Sequence, residues 1–192
     1  MIIGITGSFG SGKTTVSNIF GRHGFHVINV DKIYNDNFYK NHPLRGKIKK
    51  EFRTLDRNEL KRIVFNDSSR LKKLNKITHP LIIKKMNDEI KKIKKKDRNA
   101  NIAVDIPLLF ESKSEKLFDK TIVVKSDQKT QIKRILENRK NYSEKEIRQI
   151  IKSQMPLKEK IKRADFVVDN GKGLKRTEAE IDGIIKKIIT TK

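Results

Sequence analysis

Gly7-Ser8-Phe9-Gly10-Ser11-Gly12-Lys13-Thr14 is a complete G-x-x-x-x-G-K-S/T phosphate-binding loop, and its flanks agree with it. Ile2, Ile3 and Ile5 form a short apolar run before the loop, which predicts a buried strand. Val16, Ile19 and Phe20 recur at helical spacing after it. Glycines at these positions let successive backbone N–H groups turn inward around an anion, and a helix N-terminus adds partial positive charge. Lys13 is placed to reach the β- and γ-phosphates, and the Thr14 hydroxyl to ligate Mg²⁺. The glycine order G-x-x-G-x-G excludes the G-x-G-x-x-G dinucleotide fingerprint. The stretch therefore predicts a nucleoside triphosphate site in an α/β fold.

A chain of 192 residues suits a single domain with a sizeable core. Cysteine is absent, which excludes a disulfide framework, a thiolate metal site and a catalytic thiol. His23, His26, His42 and His79 show no paired metal-ligand spacing. With no apolar stretch of membrane-spanning length and no basic-then-apolar leader, the expected compartment is the cytoplasm, and no membrane partner is expected. The formal charge of +23 attracts polyanions in general. Between Ile83 and Lys96, however, Ile83, Met86, Ile90 and Ile93 mark an apolar stripe, with lysines crowding the rest. No aromatic residue interleaves with them to stack bases, so a solvated basic face is expected rather than a nucleic-acid reader.

Outward from the loop, Val27-Ile28-Asn29-Val30 reads as a second strand ending at Asp31. Strand ends of an open α/β sheet face its ligand crevice, so Asp31 is a candidate general base or outer-shell Mg²⁺ ligand. It also fits an N-cap for a helix starting at Lys32. Residues 32–98 read as an inserted helical subdomain, with breaks at His42-Pro43 and His79-Pro80. Ile102 to Ile106 is a strand in which Asp105 resembles the acidic end of a Walker-B element, orienting Mg²⁺ or its water. Thr121 to Val124 is a further strand, followed by a helix from about Asp127 that carries Gln131 and Arg134, with Arg139 near its end. Ser143-Glu144-Lys145-Glu146 has the form of a capping box. The next helix carries Arg148 and Lys152, and cations of residues 140–163 suit a lid over the triphosphate, with Arg139 at its hinge. Phe166-Val167-Val168 is the last strand, and Asn170 in the following turn is placed to contact the adenine. A second capping box, Thr177 with Glu180, opens a final helix packed through Ile181, Ile184, Ile185, Ile188 and Ile189.

Several blocks together resemble one family, dephospho-coenzyme A kinase. They are Ile3 to Thr15, Val27 to Asp31, Leu55-Asp56-Arg57 with Leu60 and Val64-Phe65, and Leu74 to Ile77 with His79-Pro80. Asp105-Ile106-Pro107-Leu108-Leu109-Phe110-Glu111, Ser153-Gln154-Met155-Pro156 and Ala164 to Asn170 complete them. The resemblance implies a P-loop fold with a doubly wound, five-stranded parallel sheet, a core of residues 1–31, 99–139 and 164–192, an acceptor-binding insert of 32–98 and a lid of 140–163. It implies transfer of the ATP γ-phosphate to the ribose 3′-hydroxyl of dephospho-coenzyme A; a monomer is expected. Asp31 matches the family's base, Lys13 its phosphate lysine and Arg139 its lid arginine. Ser8, Gly10, Ser11, Gly12, Thr14, Thr15 and Asn170 would complete the ATP site, and Thr14 and Asp105 the Mg²⁺ site. Asp31, Asp56, Arg57, His79, Pro80 and Leu108 would meet the acceptor. Two departures fall on the acceptor side. Asn29 stands where the family usually has Asp, and the segment between Asp31 and Leu55 is shorter, with no glycine-rich piece. The rival readings are a nucleoside or nucleoside-monophosphate kinase, separable by acceptor, and a nucleic-acid-associated ATPase, separable by salt dependence.

Overall fold

The computed structural model describes residues 1–40, 42–138 and 142–190. Strand β1 (Ile2–Gly7) carries the loop and helix α1 (Lys13–Arg22) leaves it. Strands β2 (His26–Asn29), β3 (Ile102–Asp105), β4 (Lys120–Lys125) and β5 (Phe166–Asp169) join β1 in one parallel sheet of order β2-β3-β1-β4-β5. Register pairs Ile5 with Asp105 on one side of β1 and with Ile122 on the other. β1 is thus central, and Ile3 and Ile5 are fully buried. Parallel central strands are covered on both faces, which explains their nearly unbroken apolar runs.

One face packs on α1 and on α9 (Leu174–Thr190), bringing Val16, Ile19 and Phe20 against Ile181, Ile184, Ile185 and Ile188. Ile189 falls outside this stripe and is exposed, unlike the expectation for it. Nor does Thr177 open α9. The helix begins at Leu174, after Gly173 in a left-handed turn (φ +95°). The buried Thr177 hydroxyl lies between Gly173 O and Asn170 Oδ1, at 3.1 Å from each, and the Glu180 carboxylate accepts the Asp169 N–H.

Between β2 and β3 the chain forms α2 (Val30–Lys40), α3 (His42–Phe52), α4 (Arg57–Phe65) and α5 (Ser68–Lys96). Phe38, Leu44, Ile48, Phe52, Leu60 and Val64 make a small core of their own there. Helix α3 starts at His42 with Pro43 in its first turn, where a missing N–H is harmless. The expected break at His79-Pro80 does not occur: α5 runs unbroken for 29 residues through Pro80. An interior proline costs roughly 3 kcal/mol. Fully burying an Ile or Met contributes about 1.5–3 kcal/mol each, and α5 buries Ile82, Met86 and Ile90 against β3 and its neighbours. The stripe on the sheet thus begins at Ile82, not Ile83.

Beyond β4 come α6 (Gln128–Asn138), α7 (Glu144–Ser153) and α8 (Leu157–Arg163). The Ser143–Glu146 capping box forms as expected, with both reciprocal hydrogen bonds in place. Ile147 of α7 packs on Ile132 and Ile135 of α6, with Phe9 of the loop at the edge of the group.

Candidate active site

The loop is built so that only glycine fits its tight points. A Cβ on Gly7 would stand 2.4 Å from Val124 O, on Gly10 2.7 Å from Ile135 Cδ1, and on Gly12 1.9 Å from Asn170 Nδ2. Gly10 and Gly12 also hold φ of +79° and +88°. The Lys13 ammonium folds over the loop, 3.4 Å from the carbonyl oxygens of Gly7 and Ser8. Ser8 and Ser11 are buried, whereas Thr15 is exposed on the outside of α1. Asn170 is itself buried. Its amide donates to Ser11 O (2.9 Å) and its oxygen accepts from Thr177, so its side chain braces the loop rather than offering itself to a base. Arg134 reaches the same corner, with Nη2 donating to Asn170 O (2.8 Å) and Nη1 buried beside Gly12 without a partner among the described residues. Arg139 lies outside the described residues.

Thr14 Oγ1 donates to Asp105 Oδ2 at 2.9 Å, which brings the loop hydroxyl and the end of β3 together. Asp105 is 4% exposed. Burial pushes its carboxyl pKa up, opposed by the Lys13 charge and the Thr14 hydroxyl and reinforced by the neighbouring Asp31 charge. A hydroxyl and a carboxylate are hard oxygen donors, the kind a divalent cation such as Mg²⁺ takes. The residues present fit Mg²⁺.

Asp31 sits elsewhere than expected in local terms. Strand β2 stops at Asn29, and Val30 and Asp31 already belong to the first turn of α2. Asn29, not Asp31, makes the capping bond, its Oδ1 accepting the Lys32 N–H at 2.8 Å, while its Nδ2 makes a long 3.5 Å bond to Asp105 Oδ2. The exposed Asp31 carboxylate is left on the cleft wall.

That wall encloses a cavity of about 340 Å³ running from Phe9, Lys13 and Asp31 to Arg57, His79, Leu108 and Glu111. Its sides are largely apolar, supplied by Leu60, Val64, Leu71, Leu74 and Ile82 of the insert. Arg57 is held by Asn35 Oδ1 (2.6 Å) and lies over the rings of Tyr34 and Phe38. Half-buried His79 has its pKa lowered by loss of water, with the Glu111 charge opposing. Of the expected acceptor residues, Asp56 and Pro80 do not reach the cavity. The Asp56 carboxylate caps α4 through the Glu59 N–H, and Pro80 is on the exposed side of α5. Of the expected lid cations, Arg148 and Lys152 do not line the cavity. Arg148 pairs with Glu144 at 2.6 Å on the outer surface, and Lys152 is beside it.

Several site residues were not singled out in the sequence. Lys160, at 0% exposure, pairs with Glu111 Oε1 (2.8 Å) behind the cavity. Gln154 Oε1 accepts the Phe9 N–H at 2.9 Å. The Phe9 ring meets Tyr142 edge-on at 5.5 Å, and the Lys61 ammonium of the insert lies over the Tyr142 ring, 4.5 Å from its centroid. The only signal for Gln154 and Glu111 was their place inside family-like blocks, and Lys160 looked like one more surface lysine.

Comparison with known proteins agrees with this geometry. The sequence profile described as "Dephospho-CoA kinase" matches residues 1–176. The dephospho-CoA kinase of Bacillus anthracis is 38% identical over 97% of this chain and 96% of its own. Among solved structures, the dephospho-CoA kinase of Campylobacter jejuni superposes with a TM-score of 0.67 at 30% identity, covering 97% of this chain and 96% of that one. A Thermus thermophilus protein superposes with a TM-score of 0.80 at 29% identity, covering 97% of each chain. Sequence, sheet order and loop together make the chain a member of the dephospho-CoA kinase family.

Proposed function

We propose that the protein transfers the γ-phosphoryl group of ATP to the ribose 3′-hydroxyl of dephospho-coenzyme A, giving coenzyme A and ADP. The observation that carries this reading is one cavity lined both by Lys13 and Asp31 and by apolar side chains of the insert, with the segment after β3 and the α7 end completing it. An acceptor with a phosphate-bearing ribose and a long, mostly uncharged arm suits such a shape. Asp31 accepts the proton of the 3′-hydroxyl as its oxygen bonds to the γ-phosphorus and the bond to the β–γ bridging oxygen breaks. Lys13, the loop N–H groups and the N-terminus of α1 hold the phosphates in line, and the roofed cleft limits competing attack by water. Thr14 and Asp105 would hold Mg²⁺, which when bound neutralises charge on the β- and γ-oxygens. Arg139 is the proposed lid arginine, at the hinge of a lid of residues 140–163 that faces an insert of 32–98 across the cleft.

The acceptor is proposed to be a small molecule handled by a monomer in the cytoplasm. The basic face of α5 offers no interleaved aromatic side chain for nucleic acid, and among the described residues no helix is long and apolar enough to cross a membrane. The test is ADP release with ATP and Mg²⁺, comparing dephospho-coenzyme A with adenosine, AMP, CMP and no acceptor. Release confined to dephospho-coenzyme A, with a 3′-phosphate on the product, is the expected result. Equal release with AMP or CMP would reassign the acceptor, and stimulation by RNA instead would point to the basic surface.

A further inference from the structure

The Ser153-Gln154-Met155-Pro156 block forms a short elbow between α7 and α8, and its two middle residues are tied in different directions. Gln154 is extended (φ −85°, ψ 160°), as is Pro156 (φ −52°, ψ 136°). The Gln154 side chain takes the Phe9 N–H of the phosphate-binding loop at 2.9 Å. The next residue, Met155, donates its N–H to Glu111 Oε1 at 3.0 Å, on the oxygen that Lys160 also holds. The elbow is therefore anchored to a buried ion pair at one residue and to the loop at the other.

The bond to Phe9 decides the orientation of the carboxamide. A backbone N–H needs an acceptor, so the oxygen must point at Phe9 and the nitrogen away from it. Among the described residues no protein group takes the two N–H donors of Gln154 Nε2, while Gln154, Phe9, Lys13 and Asp31 all line the same cavity. A phosphoryl oxygen only accepts hydrogen bonds, and Lys13 approaches it from the loop. We infer that Gln154 is a substrate-contacting residue: its amide nitrogen donates to an oxygen of the phosphoryl group in transfer, while its amide oxygen holds Phe9 and hence the loop. This rests on the proposed kinase function and adds a neutral donor to its charged ones. A donor aimed at oxygen that gains charge in the transition state acts on turnover more than on binding.

The experiment compares Gln154→Glu and Gln154→Ala with the wild-type chain. Glutamate keeps an oxygen for Phe9 but replaces the donor by a negative charge; alanine removes both. For Gln154→Glu the expected result is a kcat lower by about 10²–10³-fold, as for loss of one transition-state donor. KM for dephospho-coenzyme A stays within about threefold of wild type, and the added charge weakens ATP-Mg²⁺ binding, read from the melting shift, by less than it lowers kcat. Exchange of the Phe9 amide, followed by NMR, stays slow in Gln154→Glu and speeds up in Gln154→Ala. A kcat within threefold of wild type in Gln154→Glu overturns the inference, as does a loss carried wholly by KM. Should that variant fail to fold, Gln154→Ala decides by the same kcat criterion. If the wild type does not use dephospho-coenzyme A, the proposed acceptor fails separately, and acceptor-free ATP hydrolysis, expected to fall by the same factor in Gln154→Glu, still judges Gln154.

Discussion

Replacing Lys160 by methionine keeps most of the side chain's length and packing but removes its charge. The ammonium is fully buried, its ion-pair partner Glu111 is 18% exposed at the side chain, and Glu111 Oε2 already lacks a partner. The variant leaves a carboxylate out of water with only the Met155 N–H to satisfy it. Breaking one side of a buried pair typically costs about 3–5 kcal/mol. For a chain of this size each kcal/mol lowers the melting temperature by about 2–4 °C, so Lys160→Met is expected to melt roughly 6–20 °C below wild type. A second change, Glu111→Gln in that background, retains a carbonyl oxygen for Met155 and removes the stranded charge. It should recover most of the loss, because charge and not volume is the cause. Urea unfolding of the four members of the cycle, with melting curves as a cross-check, gives both the single costs and the coupling. If Lys160→Met lies within about 1 kcal/mol of wild type, or the double variant is no better than the single, the charge argument is wrong.

Asp31→Asn should lower kcat by about 10²–10⁴-fold, the usual contribution of a general base, with ATP affinity nearly unchanged; near-normal turnover would remove it from the proton's path. Asp105→Asn should stabilise the nucleotide-free protein at pH 7 while weakening the stabilisation by ATP-Mg²⁺, both read from melting curves. The sign follows from burial: a raised carboxyl pKa means that this group's contribution is lost as pH rises through the folded value, so its ionised form costs stability at neutral pH. For His79 the folded pKa is lowered, so the unfolded chain binds the extra proton and stability falls as pH drops below the ordinary 6.5. His79→Leu should flatten that fall between pH 7.5 and 5, and a slope equal to wild type would contradict the burial argument. Gly12→Ala should be among the most damaging single changes in the loop, since the new methyl displaces Asn170 from Ser11; unaltered ATP binding in that variant, measured by calorimetry, would count against the bracing role.

Phosphate-binding loop, strands and nucleotide class were legible because glycine, lysine and threonine at fixed spacing have few other uses, and because buried parallel strands are apolar throughout. Elsewhere long-range packing outweighs the local signal. Pro80 is a strong breaker in isolation, yet the burial of Ile82, Met86 and Ile90 carries α5 straight through it. Thr177 and Glu180 have the letters of a capping box, but Gly173 lets α9 begin earlier and Asn170 claims the hydroxyl. Asp56 and Arg57 are adjacent in the sequence, and only one faces the cavity because the other is needed at the helix start. Lys160 is indistinguishable by composition from dozens of exposed cations, and only its partner across the fold marks it as buried.

The position of β1 bears on how the protein is made. The strand with the phosphate-binding loop is synthesised first, yet both its neighbours come late: Ile2 pairs with Ile102, and Ile5 with Ile122. At roughly 5–20 residues per second the ribosome needs about 5–20 s to deliver β3 after β1 has emerged. During that time Ile2, Ile3 and Ile5 have no sheet to enter, and they form a short, apolar, β-prone segment. Helices α2 to α5 can condense meanwhile around Phe38, Ile48, Phe52 and Leu60, since their contacts are close in sequence. The loop that binds nucleotide is thus completed only once translation has passed β5 and Asn170, which braces Ser11, and β1 is the stretch with most need of a chaperone.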